Sequence, residues 1–226
     1  MTQRTDVAEL RDSLTRRFRT ATRQLEVAGR QIALLMPASA EELIDERDFE
    51  RDERLPYWAD LWPSARVLAD EVAVMRLAGL RVLELGCGLG VVSLAAALAG
   101  ADVLATDYYD DALRFASVNV ATATGRAIRT RMVDWTALPA KLGRFDVVLA
   151  SDVLYEHRYA ALVADAISHT LVRGGEAIVA DPGRLALGEF LDECAARGLA
   201  TDGDPRPFAE GEIRQTITLW RVRWKT

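Results

Sequence analysis

The chain has 226 residues, half of them hydrophobic and 27% charged, enough for one soluble domain with a sizeable core. Its net charge of −6 argues against a phosphate-tracking nucleic-acid binder and suits a basic partner, such as a lysine-bearing protein surface. Two cysteines, Cys87 and Cys194, suggest neither a disulfide framework nor a metal site. The charged N-terminus lacks a signal-peptide core, and the apolar run Val91 to Ala101 is too short to span a bilayer. The expectation is a cytoplasmic protein with no membrane partner.

Up to about Arg30, Val7, Leu10, Leu14, Phe18, Ala21 and Leu25 recur at three- and four-residue steps, the stripe of one amphipathic helix. It either packs on the domain or offers a partner contact. Gln31 to Met36 reads as a short strand stopped by Pro37. Glu41 to Arg54 is densely charged, either a solvated segment or an acidic rim that attracts a cationic substrate. Residues 1–54 are thus expected to pack as a helix, strand and charged segment on a main domain, 55–226. That domain opens with Leu55 to Val72, where two prolines and two tryptophans precede a helical pattern. Trp58 reads as a core plug and Trp62 as a pocket-lining residue. Ser64, just after Pro63, is a candidate starter of the helix.

Arg81 to Gly90, RVLELGCGLG, is a buried strand followed by a tight glycine loop and an alanine-rich helix. Gly86, Gly88 and Gly90 allow positive φ and close approach of a ligand, and the helix start presents free N–H groups. The dinucleotide fingerprint G-x-G-x-x-G/A would need a small residue at Val91, so the pattern is instead E-x-G-x-G-x-G.

Asp102 to Thr106 forms the next strand, closed by Asp107, which is placed to accept hydrogen bonds from ribose hydroxyls. A helix over Asp110 to Ala121 and a strand over Ile128 to Val133 follow. Asp134 can accept a bond from an adenine amino group and Trp135 can stack on the ring. Phe145 to Ser151 is a fourth strand that runs into DVLYE, Asp152 to Glu156, on the edge where open parallel sheets bind ligands. His157 reads as a cap at a loop-to-helix junction and His169 as a residue inside the next helix, neither as a base. Tyr159 to Val172 is helical and ends at Arg173-Gly174-Gly175. Glu176 to Ala180 is a fifth strand closing on Asp181-Pro182-Gly183-Arg184. Leu185 to Arg197 is helical, the Gly203 to Pro207 stretch is a poorly defined strand plus loop, and Thr216 to Trp224 is a last strand. The expected fold is α/β, Rossmann-like. Its sheet is seven-stranded and mostly parallel, with helices on both faces and a C-terminal antiparallel hairpin.

From Pro56 to about Phe190 the chain resembles the class I, seven-β-strand S-adenosylmethionine-dependent methyltransferases. Within them it resembles the protein-lysine methyltransferases with a D/E-x-x-Y motif, including those acting on the electron-transfer flavoprotein β-subunit. Trp62, Glu84 to Gly90, Asp107, Trp135, and Asp152 with Tyr155 carry that resemblance. The N-P-P-Y/F motif of many nucleic-acid and glutamine N-methyltransferases is absent. The resemblance implies S-adenosyl-L-methionine as cofactor, held by Trp62, Glu84, Gly86, Cys87, Gly88, Gly90, Asp107, Asp134, Trp135 and Ser151. It implies Asp152 and Tyr155 as the acceptor-holding catalytic pair, no metal, and methyl transfer to a protein lysine. A small-molecule N- or O-methyltransferase and a non-catalytic cofactor-binding partner of a complex remain alternatives.

Overall fold

The computed structural model describes residues 7–43 and 55–225. Most of the charged Glu41 to Arg54 segment therefore lies outside the described residues; Glu41–Leu43 forms a single 3-10 turn.

The N-terminal part departs from the expected long helix. Helix α1 covers Val7–Arg17 only. It gives way to an antiparallel hairpin of β1, Thr20–Val27, and β2, Arg30–Pro37. Two neighbouring residues of positive φ, Ala28 at 54° and Gly29 at 69°, make the two-residue turn, the conformation that matches strand twist. Leu25 and Val27 are buried on β1, and Ile32 and Leu34 on β2. This two-residue alternation competes with the helical stripe and wins once the turn pairs the strands. The hairpin packs into the same apolar cluster as Leu14 and the core helices.

The main sheet has the order β5-β4-β3-β6-β7-β9-β8. Its parallel strands are β3 (Arg81–Leu85), β4 (Asp102–Asp107), β5 (Arg129–Met132), β6 (Phe145–Ser151) and β7 (Leu171–Asp181). The last two, β8 (Leu199–Glu210) and β9 (Ile213–Trp224), form an antiparallel hairpin joined to β7 through β9. One face carries α2 (Pro63–Ala73), α3 (Val91–Leu98) and α4 (Asp110–Thr124). The other carries α5 (Arg158–Thr170) and α6 (Leu187–Ala196). Seven residues of α3, Val91 to Ala97, are buried. Small alanines let that helix sit close on the sheet beside α2 and α4.

Two further boundaries differ from the sequence reading. The helix after DVLYE ends at Thr170, and Gly174-Gly175 lies inside β7, where a register irregularity separates Phe145 from Val147 on β6. The Gly203 to Pro207 stretch is regular strand. As β8 is the sheet's outer edge, Pro205 and Pro207 forfeit ladder bonds that no outer neighbour would accept.

Asn119 on α4 joins hairpin to core. Its buried side-chain amide accepts from the Leu35 N–H at 2.8 Å and donates to the carbonyls of Leu35 at 2.9 Å and Leu89 at 3.0 Å.

Candidate active site

The sheet order reverses between β3 and β6, and their carboxyl ends open a cleft at that switch point, where α/β sheets bind ligands. Ten of the twelve predicted site residues line it: Trp62, Gly86, Cys87, Gly88, Asp107, Asp134, Trp135, Ser151, Asp152 and Tyr155.

Glu84 and Gly90 do not. The Glu84 side chain points into α3, where it accepts a hydrogen bond from the Ser93 hydroxyl; burial pushes its carboxyl up to about 8. Gly90 has a φ of 79°, and a Cβ there would sit 2.6 Å from Cβ of Ala116. Both lie behind the loop rather than on the cleft lining and shape it from there. Gly86 and Gly88 do face the cleft. A Cβ at Gly86 would meet Val153 at 3.3 Å and the Trp135 ring at 3.5 Å, and at Gly88 the Trp58 carbonyl at 3.1 Å.

Asp107 ends β4 and is buried. One carboxylate oxygen accepts from the Gly88 amide at 2.9 Å and the other from the Tyr109 amide at 3.0 Å. Burial pushes its carboxyl above the usual range while these bonds pull it back. The Cys87 thiol beside it is pushed well up by burial and then by Asp107, so it stays a neutral thiol. Asp134 caps the 3-10 turn of Trp135–Ala137, accepting from the Thr136 amide at 2.9 Å and hydroxyl at 2.7 Å. The Trp135 indole N–H is buried and has no hydrogen-bond partner among the described residues. The Trp135 ring lies in the cleft wall, in edge-to-face contact with Tyr159, centroids 5.6 Å apart.

The opposite wall comes from the Pro56 to Trp62 segment. Trp58 is buried against Phe115, ring centroids 5.7 Å apart, and is a core plug as expected. The Trp62 indole donates to the Tyr57 carbonyl at 2.8 Å and stands at the N-cap of α2 with Pro63 in the first turn. Ser64 is therefore not the helix starter. It is buried, and its hydroxyl donates to Asp152 Oδ2 at 3.0 Å.

Asp152 follows the last residue of β6 with a φ of 58°, a left-handed conformation that Asp tolerates better than most residues. Its amide donates to Ala180 at 2.9 Å, extending the β6–β7 pairing by one residue. The other carboxylate oxygen, Oδ1, accepts from Arg184 Nε at 2.6 Å. Arg184 comes from the turn after β7, where Asp181 accepts from the amides of Gly183 at 2.7 Å and Arg184 at 2.8 Å. Its guanidinium lies 5.4 Å from the Trp62 ring centre. Sequence reasoning placed the Asp181 to Arg184 turn on the ligand edge but missed this ion pair, because 32 residues separate the partners.

Tyr155 packs against a tilted Tyr159 ring and edge-on against Tyr57, centroids 4.8 and 5.2 Å apart, and burial raises its phenol above the usual range. It acts as a neutral hydroxyl with an aromatic face. Tyr57, Tyr109 and Tyr159 also line the cleft and were not expected to. His157 pairs with Glu189 on α6, both exposed, and His169 contacts the Asp165 carbonyl. Among the described residues no group of three or more His, Cys, Asp or Glu could hold a metal ion. No helix among them is long and apolar enough to cross a membrane.

A family model described as lysine methyltransferase matches residues 52–184. The electron transfer flavoprotein beta subunit lysine methyltransferase of Xenopus laevis is 30% identical over 145 residues, 57% of this chain and 53% of that protein. The protein N-lysine methyltransferase METTL21A of Danio rerio is 35% identical over 121 residues, 49% of this chain and 54% of that protein. The chain thus spans about half the length of these curated relatives. Among solved structures, a magnesium protoporphyrin IX methyltransferase from Synechocystis with bound S-adenosylmethionine superposes with a TM-score of 0.57 at 22% identity. That match covers 71% of this chain and 80% of the other, a likeness of fold.

Proposed function

The chain belongs to the lysine methyltransferase family, and on that premise we propose that it transfers a methyl group from S-adenosyl-L-methionine to the side-chain amine of a protein lysine. One observation carries the reading. The glycine loop with Asp107 and Trp135, and the Asp152–Tyr155 pair, line a single cleft at the sheet's switch point.

The residues present fit the cofactor. Gly86, Cys87 and Gly88 form a cradle that side chains would fill, suited to its methionine part. Asp107 has lone pairs left for ribose hydroxyls, and the Trp135 ring in the cleft wall offers a face on which an adenine ring would stack. Asp134 and Ser151 supply polar contacts, and Trp62 closes the wall. When bound, the cofactor supplies a methyl carbon on a sulfonium whose sulfur leaves as a neutral thioether, so no acid is required to protonate the leaving group.

The protein's task is then alignment. A free lysine amine has a pKa of about 10.4 and must lose a proton before it can attack. The apolar and aromatic walls formed by Tyr57, Trp62 and Tyr155 disfavour the charged amine by desolvation. Asp152 accepts a hydrogen bond from the acceptor nitrogen and orients its lone pair, each carboxylate oxygen keeping one free acceptor site. The Tyr155 ring faces the cation before and after transfer. The proton leaves to water.

Incubating the protein with radiolabelled cofactor and host proteome tests this. The expected result is label on a protein band, mapped to lysine by mass spectrometry. Label confined to a low-molecular-weight fraction would instead mean a small amine acceptor, and cofactor binding with no transfer would mean a non-catalytic partner.

A further inference from the structure

Asp152 does not face the cleft as a bare anion. One oxygen is taken by Ser64 and the other by Arg184, at 3.0 and 2.6 Å. Arg184 is held in place three ways: by this ion pair, by the Asp181 turn that fixes its backbone amide, and by the Trp62 ring beneath its guanidinium. Its guanidinium keeps its charge at any working pH.

An uncompensated carboxylate beside an acceptor amine would favour the ammonium form, which has no lone pair to attack with. A carboxylate already neutralised by an internal cation still accepts a hydrogen bond but no longer stabilises the ammonium. The surroundings leave this task to Arg184. Glu156 and Arg158 pair with each other at 2.7 Å. Tyr57 and Tyr155 contribute phenols. Asp60 and Asp181 add further carboxyls, and Asp181 shares Arg184 with Asp152 as a neighbouring charge, so among these described residues no cation besides Arg184 offsets Asp152 directly.

Building on the amine-methylation reading, we propose that Arg184 is a positioning residue that cancels the charge of Asp152, so that the acceptor amine sheds its proton within the site. The amine releases that proton to water. Its lone pair then forms the N–C bond while the C–S electron pair leaves with the sulfur, and the positive charge passes to the methylated nitrogen.

The test is the pH profile of kcat, with the lysine protein labelled by the wild type as acceptor and calorimetry of S-adenosylmethionine as the control for an intact site. Arg184→Gln keeps a hydrogen-bond donor but removes the charge. It is expected to move the alkaline-rising limb upward by about one pH unit, a roughly tenfold loss at neutral pH that shrinks toward the amine's own range. Arg184→Lys should restore most of the wild-type position. Adding Asp152→Asn to Arg184→Gln removes the exposed anion and should return the limb downward even if the plateau stays low. If Arg184→Gln lowers the rate by one factor at every pH, or leaves the profile unmoved, Arg184 has no such role. If Arg184→Gln fails to bind the cofactor, the double variant decides: a limb still displaced upward overturns the proposal. Absence of any wild-type transfer to lysine would instead sink the amine-methylation reading beneath it.

Discussion

The Asp107 carboxylate accepts a hydrogen bond from the Gly88 amide at 2.9 Å, so the end of β4 fixes the shape of the loop that leaves β3. The same carboxylate is the acceptor assigned to the ribose. Asp107→Ala is therefore expected to weaken S-adenosylmethionine binding by about 1.5–3 kcal/mol, roughly 10- to 150-fold. Isothermal calorimetry checks it, and an unchanged Kd would remove Asp107 from the cofactor site.

Asp152 lies on the acceptor side of the cleft, between Ser64 and Arg184. Asp152→Ala should leave cofactor affinity within a few-fold of wild type and lower kcat by about 100-fold, through misalignment of the acceptor. Equal losses of affinity and turnover would point to a collapsed cleft instead.

Gly90 and Gly88 separate stability from binding. Gly90→Ala forces a Cβ to within 2.6 Å of Ala116 at a positive φ. It should destabilise the fold by about 2–4 kcal/mol, read from denaturant midpoints. Gly88→Ala meets the Trp58 carbonyl at 3.1 Å, a milder clash though also at a positive φ of 49°, in a residue that lines the cleft; it should weaken cofactor binding with a smaller loss of stability.

Glu84 carries a pH signature. Burial raises its carboxyl from an ordinary 4.5 to about 8 in the folded protein. Between those values the folded chain holds more protons than the unfolded one, so the stability this group contributes is present below the lower value and lost as pH rises to the upper. Glu84→Gln should flatten that fall, as measured by urea unfolding across the window. A wild-type slope in the variant would assign the dependence elsewhere.

The parallel core was legible because each of its elements is self-declaring. Val82, Leu83 and Leu85 put apolar side chains on both faces of β3 since both are covered, and the alternating glycines at positive φ mark a tight loop. The N-terminal hairpin was not legible. Leu14, Phe18 and Leu25 fit one helical stripe, and the turn that breaks it puts Ala28, an unremarkable residue in sequence, at positive φ. Strand β8 was obscured by prolines that only an edge position makes harmless. In the cleft, motif residues close in sequence were found readily. The Ser64–Asp152–Arg184 chain was not, since its members come from α2, the end of β6 and the turn after β7. That Glu84 and Gly90 stand behind the loop was not legible for another reason: a motif records that residues are needed together, but not which of them face the cleft.

Leu35 and Leu89 share one partner in the Asn119 amide. Ligand capture that stiffens the loop around Leu89 would consequently slow deuterium uptake at the Leu35 amide, on a strand remote from the chemistry. A chain trimmed to begin at residue 52, where the family match starts, would lose that reporter and leave the Asn119 amide with a single bond where it now has three.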